Sequence, residues 1–191
     1  MAPSKLSDEI PKDWKQSMDL RYPVGKFQYE TLNTDSQRQD LISQIESLPE
    51  NIRKAIKGLS PEQLETPYRP DGWMVRQVVH HTADSHMNAF IRFKLALTEE
   101  DPTIKPYEET RWAELEDGRN APIELSVTML DSLHARWIIL LKSLKETDYS
   151  RTFKHPEMGP MNLDKTLSLY AWHGRHHVAH ITSLRERMGW Q

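Results

Sequence analysis

The sequence predicts an all-α protein, a four-helix bundle with short extra helices and long loops. Two observations carry this. Four long segments repeat apolar residues at three- and four-residue intervals, the period of a helix with one buried face. No series of alternating segments suggests a sheet, and turn chemistry falls mostly between the helical patterns. Helices of this kind bury their stripes against one another, and four of them make a bundle.

Residues 1–20 are polar and punctuated by proline, so a flexible N-terminal tail is expected, followed by a single domain over 21–191. Arg21-Tyr-Pro-Val-Gly-Lys-Phe27 reads as an extended segment lying across the domain, because the residue before proline avoids the helical region. The first long helix starts at a Thr34 or Asp35 cap and carries Leu41, Ile45, Leu48, Ile52, Ile56 and Leu59, with Pro49 expected to kink or split it. Ser60-Pro-Glu62 is a cap, a first-turn proline and an acidic first turn, which start a short helix ending before Pro67. After the turn residues Tyr68 to Gly72, the second long helix runs from Trp73 to about Thr98 on Val75, Val78, Val79, Ala89, Phe90, Phe93 and Leu97. Residues 101–122 form a long proline-containing loop, of a length usually tied to function or mobility, with one short helix around Glu108 to Glu116. Leu130, Leu133, Trp137, Ile138, Leu141 and Leu144 mark the third long helix. A turn or short hairpin around Pro156 and Gly159 follows, and Asn162 caps a last helix that Gly189 stops after Met188.

Composition narrows the function. The chain has 191 residues, a formal charge of -3 and no cysteine, which excludes disulfides, thiolate ligands and a cysteine nucleophile. Lys and Arg are interspersed with Asp and Glu, so no basic stripe addresses nucleic acid. No apolar run reaches the roughly 20 residues that cross a membrane, and no signal peptide begins the chain, so a cytoplasmic location is expected.

Seven of the nine histidines lie in His80-His-Thr-Ala-Asp-Ser-His86 and His173-Gly-Arg-His-His-Val-Ala-His180. Residues four apart on a helix can turn their imidazoles to one ion, which makes these runs a candidate metal site. In the last helix both His173 with His177 and His176 with His180 have that spacing. Measured from the middle of the apolar face, His177 is displaced by ~40° and His173 by ~80°, against ~100° for His180 and ~140° for His176. The inward pair is His173 and His177. In the second helix His86 lies near the middle of the apolar face, His81 at its edge beside Gln77, Ser85 and Asn88, and His80 well outside. Periodicity there divides between His81 and His86. Asp84 could orient an imidazole. His134 and His155 read as hydrogen-bonded core residues, while His80, His86, His176 and His180 support the ligands, face substrate or lie at the surface. Arg92 and Arg175 could attract an anionic substrate but read first as surface-paired, and Arg185 and Arg187 as solvated charges at a helix end.

Several stretches resemble the DinB-like superfamily, and within it the YfiT-type branch of metal-dependent hydrolases and bacillithiol S-transferases. They are Arg21-Tyr-Pro-Val-Gly, Thr66-Pro-Tyr-Arg-Pro-Asp-Gly-Trp-Met-Val-Arg-Gln-Val-Val-His-His, Asp84-Ser-His-Met-Asn, Ile91-Arg-Phe-Lys-Leu and Trp172-His-Gly-Arg-His-His-Val-Ala-His-Ile181. The resemblance implies a four-helix bundle, frequently a homodimer, that binds a divalent metal through one histidine of the second long helix and two of the last. Matched position by position, these are His81, His173 and His177.

Three neutral imidazoles leave a divalent ion its full charge and at least one open position. Water activated there would make a hydrolase, and a low-molecular-weight thiol bound there would make a transferase acting on an electrophile. In a third reading the ion only ties helices together. The expected cofactor is one divalent ion per chain, zinc or nickel, and the expected partner is a small-molecule substrate. Gly174 stands where a His-Glu-x-x-His motif has its glutamate, so the motif supplies no general base. No catalytic residue is assigned; Asp84, His80, His86 and His180 are the candidates for that base.

Overall fold

The computed structural model describes residues 19–32 and 34–191, so most of the expected tail lies outside the described residues. The order is α1 (Asp35–Glu46), α2 (Leu48–Ile56), α3 (Pro61–Leu64), α4 (Val75–Thr98), α5 (Glu109–Ala113), α6 (Glu116–Asn120), α7 (Ile123–Ser143), a 3-10 turn (Glu146–Ser150), the strands β1 (Thr152–His155) and β2 (Gly159–Asn162), and α8 (Leu163–Met188).

Local chemistry sets these boundaries. The Thr34 hydroxyl accepts from the Gln37 N–H at 3.3 Å while the Gln37 side chain accepts from the Thr34 N–H at 3.1 Å, so α1 begins with two satisfied donors. Pro49 splits the first long pattern as expected, occupying the first turn of α2, where its missing N–H costs nothing. The second long helix starts two residues later than its pattern suggests. Trp73 and Met74 stay extended because the Tyr68 N–H bonds the Trp73 carbonyl at 3.0 Å and the Val75 N–H bonds Thr66 at 3.1 Å, closing the turn between them. Residues 108–116 give two short helices, α5 and α6, in place of one. The β1–β2 hairpin pairs Phe153 with Met161 and turns at Gly159, whose φ of +72° suits glycine. Asn162 caps α8 by accepting from the Lys165 N–H at 2.8 Å, and Gly189 ends it at φ +65°.

α1 with α2, α4, α7 and α8 form the four corners, α4 packing on α7 and α8, and α1 and α2 packing on the same two. Side-chain ties give the directions. The bidentate Arg38–Asp164 pair at 2.8 and 2.9 Å joins the start of α1 to the start of α8, so these run parallel. Lys142 on Glu46 and Arg53 on Asp131 set α7 antiparallel to α1 and α2. Arg76 at the start of α4 donates to the Ala121 carbonyl just before α7, and Phe93 meets Trp137 further along both, so α4 and α7 run the same way. A chain that repeats its direction must first travel back along the bundle, which is the physical reason for the long connection between Thr98 and Ile123.

Two apolar clusters fill the bundle. One gathers Ile45, Phe93, Trp137, Leu167 and Tyr170 at the end where α8 begins. The other gathers Leu48, Val78, Ile123, Leu130 and Ile181 at the opposite end. Between them, at mid-height, α4 contributes His81 and His86, α7 contributes His134, and α8 contributes the run from His173 to His180. Residues 19–27 lie across the outer side of α8, with Trp172 Nε1 donating to the Gly25 carbonyl at 3.1 Å and Tyr22 facing the His176 ring. Among the described residues, no helix is long and apolar enough to cross a membrane.

Candidate metal centre

His173 and His177 are one turn apart on α8, and α4 faces them with His81 and, one turn on, Ser85. One ring nitrogen from each of His81, His173 and His177 lies within 4.8 Å of the others, and among the described residues no carboxylate joins the group. His86, which periodicity left equal to His81, lies behind His173 instead. His86 Nε2 is 3.3 Å from His173 Nδ1, on the side away from the cluster. On the cluster side, His173 Nε2 faces His177 Nε2 at 3.2 Å and the Ser85 hydroxyl at 3.3 Å.

The hydrogen bonds behind the cluster decide which nitrogens carry protons. His180 Nε2 lies 3.2 Å from the Arg21 carbonyl, which can only accept, so this nitrogen holds the hydrogen. His180 Nδ1 is then a bare acceptor 3.3 Å from His177 Nδ1, which must donate to it. His177 Nε2 is thereby left with its lone pair turned to the cluster. The tautomer of His173 that donates from Nδ1 to His86 leaves Nε2 bare in the same way, and the Ser85 hydroxyl can donate to it. Such an arrangement, outer nitrogens anchored and inner nitrogens exposed, is what orients imidazoles toward an ion.

Burial keeps the rings neutral. It lowers His81 to about 4 and holds His173 and His177 well below the ordinary histidine range, with neighbouring imidazoles adding to the effect. His180 is lowered to about 3 and His176 to about 4, again chiefly by burial. Two bare nitrogens turned toward a nitrogen of a neutral His81, with no carboxylate in the group among the described residues, fit a divalent cation.

The angular ranking misjudged the outer face of α8. His176 and His180 are buried there under the extended segment and the turn before α4, His180 stacking on Tyr68 at 3.9 Å and His176 on Trp172 at 4.4 Å. His80 is also buried, between the Ser126 hydroxyl at 2.7 Å and the Ala121 carbonyl at 3.1 Å, tying α4 to the start of α7 and facing away from the cluster. His134 and His155 are hydrogen-bonded core residues as expected, His134 donating from Nδ1 to the Ile45 carbonyl at 2.7 Å. Asp84 orients no imidazole; its half-buried carboxyl is pushed up to about 6 by burial first and by Asp117 second. Arg185 and Arg187 are not solvated ends, since Arg185 donates to the Ala55 and Lys57 carbonyls and Arg187 to that of Tyr68.

Gly174 shows why no glutamate follows the first histidine of α8. A Cβ there would meet a methyl of Leu48 at 2.9 Å, so α8 approaches α2 through the missing side chain. Sequence reading passed over Arg21, which acts through its carbonyl, and Tyr107, which the long connection folds to within electrostatic reach of Asp84 and beside Ser85. Neither position has a periodic signal that could have revealed it.

Comparison with known proteins agrees with this description. The family model described as the DinB superfamily matches residues 44–181. A protein of Bacillus cereus strain B4264 named "Putative metal-dependent hydrolase" is 58% identical over 172 residues, covering 90% of this chain and 99% of the relative. A protein of the same name from Bacillus thuringiensis subsp. konkukian matches at 58% over the same length and coverage. Among solved structures, YfiT from Bacillus subtilis, described as a probable metal-dependent hydrolase with an unusual four-helix bundle topology, superposes with a TM-score of 0.89 at 45% identity. That match covers 91% of this chain and 100% of YfiT.

Proposed function

The chain belongs to the DinB superfamily, and from that premise we propose that it is a metal-dependent hydrolase of a small-molecule substrate, its one divalent ion held by His81, His173 and His177. The observation that carries this reading is the anchoring of His177 through His180 to the Arg21 carbonyl, which leaves a bare nitrogen facing those of His81 and His173. A purely structural histidine cluster has no need of lone pairs aimed at one point. The names of the relatives support hydrolysis as the chemistry.

Bound by three neutral ligands, the ion would supply Lewis acidity and make water a nucleophile near neutral pH. The protein's own groups do the rest. His86 and His180 fix the ligand rings, and Trp73 packs over His81 with 4.6 Å between ring centres, excluding solvent on that side. The Ser85 hydroxyl lies 3.3 Å from His173 Nε2, where it can donate to a substrate oxygen. Of the four candidates for a base, His80, His86 and His180 are committed to fixed hydrogen bonds, which leaves Asp84, next to Ser85 on α4 and within electrostatic reach of Tyr107, as the candidate whose carboxyl, raised to about 6, is matched to proton transfer near neutral pH.

The test is metal content per chain by elemental mass spectrometry on tag-free protein, followed by ester and amide hydrolysis with and without chelator. About one ion per chain and chelator-sensitive cleavage are expected, with an acidic limb near pH 6 that Asp84→Asn removes. Turnover only when a low-molecular-weight thiol and an electrophile are both present would move the reading to thiol transfer. A tightly held ion with no turnover in either assay would leave the ion a structural role.

A further inference from the structure

The polar groups around the metal centre do not stop at its ligands. From His173 Nε2 the Ser85 hydroxyl lies at 3.3 Å, Ser85 neighbours the Tyr170 hydroxyl, and Tyr170 accepts from Arg92 Nη1 at 3.2 Å. Arg92 is thus three hydrogen-bond lengths along this path, and at most about 10 Å, from the nitrogen turned toward the ion site. It stands on the same face of α4 as His81 and Ser85, further along that helix.

Surface pairing was the expectation for Arg92, and it is not what the structure shows. Among the described residues no carboxylate comes within salt-bridge distance of its guanidinium, which is half-buried and bonded to a neutral phenol. Other arginines of the half-buried or buried class are matched by acceptors. Arg38 has Asp164, Arg76 has Glu65, and Arg185 and Arg187 have backbone carbonyls. Around Arg92 the neighbouring imidazole is a donor too. His155 uses Nδ1 to accept from the Glu157 and Met158 N–H groups at 3.2 and 3.4 Å, so its hydrogen is on Nε2, and it lies within electrostatic reach of Arg92. Glu109, at the start of α5, interacts electrostatically with Arg92 without closing to a salt bridge.

We infer that Arg92 is the anion-binding subsite of this centre, and that the substrate is a small molecule carrying a carboxylate-type oxyanion no more than about 10 Å from the atom that meets the metal. The fork of donors on a guanidinium matches such a group in geometry as well as charge. This rests on the metal-centre reading given above. Glu109 opposes the anion, and its partial withdrawal from Arg92 leaves the guanidinium free to receive one.

The test uses ligands that need no turnover. Monohydroxamates of α,ω-dicarboxylic acids of increasing length, and their uncharged terminal-amide counterparts, would be titrated calorimetrically into metal-loaded protein, the hydroxamate serving as the metal-binding end. The carboxylate form should bind at least tenfold more tightly than the amide at one chain length and by less at shorter ones. Arg92→Gln should erase that preference while leaving metal content and amide affinity unchanged, Arg92→Lys should restore part of it, and Glu109→Gln should enlarge it. Equal binding of acid and amide to the parent, or a preference that survives Arg92→Gln, overturns the subsite and leaves the metal centre standing. If neither series binds metal-loaded protein, the open metal position is wrong and the subsite falls with it.

Discussion

At either end of the bundle the corners meet through side chains such as Phe93, Trp137 and Leu167, or Val78, Ile123 and Leu184; at mid-height they meet through seven histidines. The ends are held by burial, which is non-directional and tolerates changes of shape at moderate cost. The waist is held by ring nitrogens whose protons are assigned one after another from the Arg21 carbonyl inward. Its members are therefore not interchangeable, and three buried nitrogens there, His86 Nδ1, His134 Nε2 and His176 Nδ1, have no partner among the described residues. An apolar end supplies stability; the waist gives up some of it to keep lone pairs available.

That contrast can be broken most sharply by removing a ligand. His173→Ala should lose nearly all stoichiometric metal by elemental mass spectrometry while the far-ultraviolet helical signal persists; metal retained at the parent level would remove His173 from the centre. Phe93→Ala, at the apolar end, should do the reverse. A fully buried aromatic ring truncated to a methyl costs about 3–5 kcal/mol in denaturant unfolding, and the fraction that stays folded should bind metal as the parent does.

Acid should also separate the two regions. Burial lowers all nine histidines below their ordinary range. The unfolded chain therefore binds more protons than the folded one as pH falls from about 6.5. Stability is fully present above that pH and drains away toward the depressed values near 4. Asp84, raised to about 6, and Glu109, raised likewise by burial, act in the opposite sense above their unfolded values, but they are two groups against nine. Thermal unfolding of metal-free protein should show a steep acid limb that added metal moves to lower pH; a flat profile from pH 7 to 5 would mean the histidines are not buried neutral.

Smaller effects test the supports. His180→Ala should weaken metal binding by about 10–100-fold, the usual cost of losing a hydrogen-bond partner of a ligand, with little change in stoichiometry at saturating metal. An unchanged affinity would show that the Arg21 carbonyl does not orient His177. Gly174→Ala should alter stability least. The helix gains about 1 kcal/mol of propensity, which crowding against Leu48 offsets.

The fold was legible in the sequence because its causes are local. Thr34, Ser60, Asn162, Pro49 and Gly189 mark helix ends by their own hydrogen-bonding and backbone preferences, and the apolar stripes fix which faces are inward. The i, i+4 spacing brought out His173 and His177 for the same reason. His81 was separated from His86 only by family resemblance, since a helical wheel cannot say which of two inward rings the partner helix will meet side-on.

What the sequence determined by itself is a four-helix architecture with a histidine-rich zone on its second and last long helices, because helix period, caps and residue type act over a few positions. Only the tertiary structure decided that α4 and α7 run parallel, that residues 19–27 bury His176 and His180, and that Arg92 stands without a carboxylate. These depend on groups far apart in the chain, Arg21 with His180 or Arg92 with Tyr170, and such contacts leave no periodic trace in either partner's own surroundings.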